Sequence, residues 1–149
     1  MDLLDTIRQT PNLDWLQLTK RIGNWSRLVE EARAFTGKNS TKMLDLYHWL
    51  DNWLRCDHPP SNVWIGATVV NQVEADRDIP KLLRVPARVR FLSVEPMLGL
   101  IDLKSIPHPL RAKGEDWVEL DVFNHGTSYP GSSGIHWVIC GDESGPKAR

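Results

Sequence analysis

Cysteine is nearly missing from this 149-residue chain: Cys56 and Cys140 stand far apart and in no spacing motif. A disulfide framework is therefore excluded, and the chain reads as a cytoplasmic protein with reduced thiols. Charge of one sign is missing too. The net charge is −1, and lysine and arginine are scattered singly, so electrostatics give no reason to expect nucleic-acid binding. No apolar run approaches the ~20 residues needed to span a bilayer, and no signal-peptide pattern opens the chain. The five histidines, His48, His58, His108, His125 and His136, have no ligand spacing, so no metal site is expected. No glycine-rich phosphate loop follows a strand, which removes nucleotide hydrolysis and dinucleotide binding. Ser132-Ser133 lacks the context of a nucleophile elbow.

What is present is an alternation of short apolar runs and amphipathic stretches. LDWLQL (13–18), VWIGATVV (63–70), VRFLSV (89–94) and IHWVIC (135–140) read as strands buried on both faces. Between them, Trp25, Leu28, Val29, Ala32 and Phe35 recur on one helix face. Met43, Leu46, Tyr47, Leu50, Trp53 and Leu54 do so more strongly, after a cap at 39–41. Leu3, Leu4 and Ile7 make an opening helix. The spacing predicts a short helix over 71–78, with Pro80 starting another. The result is one α/β domain, residues 1–149, with parallel strands. Residues 103–134 break the rhythm with four glycines and three prolines, and are expected to be a variable insertion, with 117–123 as an extra strand.

The carboxyl ends of parallel strands converge on one mouth, where α/β proteins bind ligands. Here the first strand leads to Lys20 and Arg21, the second to Asn71 and Gln72, the third to Glu95, and the fourth to Asp142, Glu143 and Ser144. Charged or amide groups at four tips out of four mark a candidate binding site. The plain alternative is solvation of loop ends, with Glu95 paired to Lys20 or Arg21 to hold the rim. Gly141 and Gly145 allow a tight turn with free N–H groups, able to hold a carboxylate or phosphate.

LDWLQLTKR (13–21), PPSNVWIGATVVNQ (59–72), VRFLSVEPMLGLIDL (89–103) and HWVICGDESGPKAR (136–149) together resemble a phage- and mobile-element-associated family of radical-SAM-like proteins with no settled function. The likeness covers the chain apart from 103–134. It implies a partial (β/α) barrel of about four parallel strands with flanking helices, its central mouth lined by the tip residues. It also implies a CxxxCxxC cluster ahead of residue 1, holding a [4Fe–4S] cluster and through it S-adenosylmethionine. This sequence has no such cluster, and three thiolates cannot come from two cysteines. Val70 stands where the family carries glutamate, and Asp142 where it carries glycine. The expectation is the middle of a barrel, without a cofactor of its own and with no catalytic residue assigned.

Half a barrel leaves strand edges and an apolar interior face to be covered. The expected function is therefore contact: a non-catalytic phage or mobile-element protein that docks on a host protein, such as a defence component, or that self-associates through its edges. Two alternatives compete with it. One is half of a split enzyme whose cluster-binding half is a separate chain; the other is a fragment of a longer enzyme.

Overall fold

The four apolar runs become four strands of one parallel sheet, in the order β1 (Trp15–Thr19), β2 (Val63–Thr68), β3 (Val89–Val94) and β6 (Trp137–Cys140). The computed structural model describes residues 2–38, 40–55, 58–107, 119–123 and 134–141. Register runs Gln17↔Ile65↔Arg90 and Leu18↔Gly66↔Phe91↔Trp137. Among the described residues β1 and β6 are the outer strands, and the sheet is open.

Helix α1 (Asp2–Gln9) precedes β1; α2 (Trp25–Lys38) and α3 (Ser40–Arg55) connect β1 to β2, after a 3-10 turn at Ile22–Asn24, and α4 (Gln72–Leu83) connects β2 to β3. The stripe of α3 falls where the spacing predicts it, whereas in α2 Trp25 and Val29 are buried but Leu28 and Phe35 are exposed, and in α1 Ile7 is buried but Leu3 is exposed. Leu46, Leu50 and Trp53 repeat at four and three residues and are buried. Trp53 meets Trp25 and Trp49 edge-on at 5.2 Å, and its indole N–H donates to Pro86 O at 2.7 Å. The ring is thus satisfied at its polar corner while its body fills the core. A break at Met43 (φ −128, ψ 17) interrupts α3. Of the cap expected at 39–41, Asn39 lies outside the described residues, and residues 40 and 41 are already part of α3.

The predicted helix over 71–78 and the second one starting at Pro80 are instead one helix, α4, with Pro80 inside it. A proline there removes one helical hydrogen bond and costs up to about 3 kcal/mol. Ala75, Asp78, Ile79 and Leu82 are buried along one face on both sides of it. Packing on that face outweighs the lost bond, and proline's fixed φ is already helical.

All of this packs on one side of the sheet. The buried cluster joins Ile65 and Ala67 of β2 and Leu92 and Val94 of β3 to Ile22, Val29, Leu50, Trp53, Ile79 and Leu82. Strand alternation sends Leu16, Leu18, Trp64, Gly66, Phe91 and Trp137 to the other face, and none of these belongs to the cluster.

The expected insertion is tied into this core. β4 (Ile106–Pro107) and β5 (Glu119–Leu120) pair antiparallel, as a strand within 117–123 implies. Ile106 and Val122 are fully buried in the helix-side cluster, and Val122 N donates to Leu103 O at 3.1 Å. The ends of this excursion are structural rather than decorative. At the leading end of the sheet, the buried side-chain amide of Asn62 donates to Ile7 O (3.3 Å), Thr10 O (3.2 Å) and Leu13 O (3.3 Å).

Candidate functional site

β1, β2 and β3 run in register, so their polar ends do lie along one rim of the sheet. Lys20 and Arg21 follow β1 and are exposed; the Arg21 N–H donates to Thr19 Oγ1 at 3.0 Å, a tight side-chain turn. Glu95 follows β3, begins a cis Glu95–Pro96 peptide and is exposed. Asp142, Glu143 and Ser144 lie outside the described residues.

The loop after Pro96 crosses the rim. Met97 N donates to Gly141 O at 3.3 Å, and Leu98 N to Val70 O at 2.9 Å, so one loop ties the ends of β6 and β2 together. The Glu95 side chain lies directly against Gly141. A Cβ on Gly141 would fall on the Glu95 carboxylate, with Cδ 2.9 Å and Cγ 3.0 Å away. A side chain at this position would oblige the exposed Glu95 carboxylate to swing away.

The side-chain oxygen of Asn71 and both polar atoms of the Gln72 amide are engaged. Asn71 caps α4, its Oδ1 accepting from Glu74 N at 3.0 Å, while Glu74 Oε2 accepts from Val70 N at 3.2 Å. Gln72 Oε1 accepts from Asp102 N at 2.6 Å, and its amide donates to Asp76 Oδ1 at 2.7 Å. These two residues build the rim and fasten the 102 loop to α4.

The expected ion pair between Glu95 and Lys20 or Arg21 does not form. All ion pairs among the described residues lie within or between the four helices. Among the described residues, three charged groups thus stand open at the tips: Lys20, Arg21 and Glu95. The rim also carries exposed apolar side chains, Met97, Leu98 and Leu100, the last almost wholly exposed.

Charged groups that sequence reasoning passed over are buried elsewhere. Asp78 of α4 accepts from Arg77 Nη2 at 2.6 Å, Arg77 Nε at 3.0 Å and Lys81 Nζ at 2.8 Å. Burial pushes its carboxyl up, and donation from Arg77 and Lys81 more than reverses that, so Asp78 sits below the usual carboxylate range. The same contact holds Arg77 above its ordinary value. Arg90, inside an otherwise apolar strand, is buried and donates twice to Val85 O, at 2.7 and 3.2 Å. A lone arginine in VRFLSV was the available signal for it.

A cleft of about 530 Å3 opens between α2, α3 and Pro86, lined by Trp25, Ser26, Arg27, Glu30, Leu54 and Arg55. None of the strand-tip residues reaches it. Its charges neutralise one another: Glu30 pairs with Arg55 at 2.7 Å and with Arg33 at 2.8 Å, and Arg27 with Glu31 at 2.6 Å. The Arg33 hydrogen bond holds Glu30 below its usual range against the opposing effect of burial.

As for metal chemistry, no group of three or more histidine, cysteine, aspartate or glutamate residues among the described residues could hold an ion. Cys140 is exposed and free, and Cys56 lies outside the described residues. The two cysteines of this sequence do not fit the three thiolates of the cluster that the resemblance implies. No described helix is long and apolar enough to cross a membrane.

Fold and rim together define an α/β protein with an open parallel sheet, helix-covered on one face and polar at its strand ends. More particularly, residues 1–149 match the model of the family described as "Protein of unknown function (DUF5131)", and the chain belongs to that family. No curated protein and no solved structure matches it.

Proposed function

We propose that this protein acts by contact with another protein, without chemistry of its own. One observation carries the reading: an apolar sheet face stands outside the helix-packed core, and its flanks at Leu16, Leu18 and Trp137 are about half exposed. Parallel sheets ordinarily bury both faces, and an open apolar flank ending in unpaired strand edges is a docking surface. The resemblance supplies a setting. In it, a mobile-element protein on a radical-SAM-like partial-barrel scaffold engages a host target such as a component of a defence system.

The test is affinity capture from host extract beside Trp137→Glu and Leu18→Lys variants, with solution mass measured on the pure chain. The expected outcome is a stoichiometric complex, either with itself or with a host protein, that the variants lose. A wild-type chain that stays monomeric and captures nothing in stoichiometric amount overturns the reading.

A second reading is favoured by the open charges of the rim. In it, a separate chain carries the cluster, and Lys20, Arg21 and Glu95 complete a substrate mouth as half of a split enzyme. Anaerobic reconstitution with iron, sulfide and a CxxxCxxC-bearing partner would yield activity sensitive to Glu95→Gln. Failure of that reconstitution removes it.

A further inference from the structure

We infer that the partner at one edge of the sheet is a second copy of this chain, with β1 pairing antiparallel to β1 of its twin about a two-fold axis at Gln17. This rests on the contact reading above and makes its partner specific.

The hydrogen-bond parity of β1 comes first. Trp15 N donates to Asn62 O at 2.7 Å, so the main-chain groups of Trp15 point toward β2. Alternation then turns those of Gln17 and Thr19 the same way and those of Leu16 and Leu18 outward, away from the sheet. No hydrogen bond of the described residues occupies that outer edge. The Leu16 and Leu18 side chains are 48% and 49% exposed and lie on the face that the helices leave alone.

An antiparallel pair centred on Gln17 satisfies each of these features at once. Leu16 falls opposite Leu18 of the twin, and both have outward-pointing groups, so each such pair exchanges two N–H···O=C bonds. The two-fold axis repeats the pair, and four leucines close into one apolar strip on the exposed face. Moving the axis by one residue, to Leu16 or Leu18, keeps the parity but sets a leucine against Asp14 or Lys20.

Charge selects the same register. One residue beyond each end of β1 stand Asp14 and Lys20, both exposed and both without an ion pair in the described structure. With the axis at Gln17, Asp14 lies opposite Lys20 of the twin, and the pair occurs twice. A strand whose leucines and flanking charges are both self-complementary about one residue is matched to a copy of itself.

The experiment measures the solution mass of the full chain by sedimentation equilibrium across micromolar concentrations. The wild type is expected at twice its 17.0 kDa, and Leu18→Lys at the monomer mass with unchanged far-UV circular dichroism. Asp14→Lys and Lys20→Asp each create two like-charge contacts and are expected to weaken dimerisation about tenfold. The double exchange Asp14→Lys with Lys20→Asp should restore it, an outcome that a merely structural role would not give. Because both positions are exposed, the charge variants decide the matter even if Leu18→Lys fails to fold. A monomer that still binds a different protein sinks this inference and leaves the contact reading standing. A dimer indifferent to Leu18→Lys and to the charge exchange places the interface elsewhere and also sinks it. A monomer without any partner sinks both.

Discussion

On one side of the sheet Ile65, Ala67, Leu92 and Val94 are closed beneath α2, α3 and α4. On the other, Phe91 lies flat on Gly66, Trp64 meets Trp137 edge-on at 5.5 Å, and exposure rises toward both outer strands. The two faces are equally apolar in sequence, yet only one has its cover among the helices. Apolar composition on both faces of a strand reports that both must be buried, and says nothing about which chain does the burying. The proposed contact is assigned to that gap.

Substitutions on the two faces sharpen the contrast. The largest expected effect is on the covered side: Ile65→Ala leaves a void under the helices and should cost about 3 kcal/mol, read from urea unfolding with an unchanged slope. If Ile65→Ala cost no more than a surface change, the helix-covered face would not be the core, and the comparison would collapse.

Next comes the charged exception on the covered side. Asp78→Asn forfeits charge-assisted bonds from Arg77 and Lys81 and should cost about 2 kcal/mol at neutral pH. The pH dependence follows from the depressed carboxyl. The ionised form is favoured in the fold, so its stabilisation is complete above the ordinary carboxylate value of about 4. It disappears as the pH falls through the lower folded value. The stability gap between wild type and Asp78→Asn should therefore close on acidification, and a gap that widens in acid would refute the assignment.

The smallest effect belongs to the other face. In Gly66→Ala the new Cβ would lie 2.6 Å from two carbons of the Phe91 ring, which must lift. Phe91 is buried, but its face opens at the flanking Leu18 and Trp137, toward which the ring can shift, so the expected cost is about 1 kcal/mol, with a changed near-UV signal from the tryptophan pair. A cost equal to that of Ile65→Ala would mean that both faces are equally constrained.

The four strands were readable because each is a short apolar run of branched and aromatic residues, and three helices because their stripes recur at helical spacing. The continuity of α4 through Pro80 was not readable, since it depends on burial of Ile79 and Leu82 against elements far away in the chain. The rim was legible as a place but not as a set of roles. Asn71-x-x-Glu74 is the pattern of a helix cap, and that signal in the sequence already competed with a ligand role for Asn71. The reach of Gln72 to Asp102, thirty residues on, leaves no trace in local pattern. Ile106 and Val122 enter the core from a stretch that its glycines and prolines marked as a variable insertion, and the strand read at 117–123 carried no sign of reaching the core.

The amide of Asn62 fastens three carbonyls from a helix end, a turn and the approach to β1. One donor group thereby acts as a shared rivet, so a length change in residues 10–14 would loosen three pieces of backbone together. At the opposite rim the loop after Pro96 plays the matching part, bonded to the ends of both β2 and β6. A length change between Pro96 and Leu98 would part those two strand ends, so the frame is pinned at both ends of the sheet.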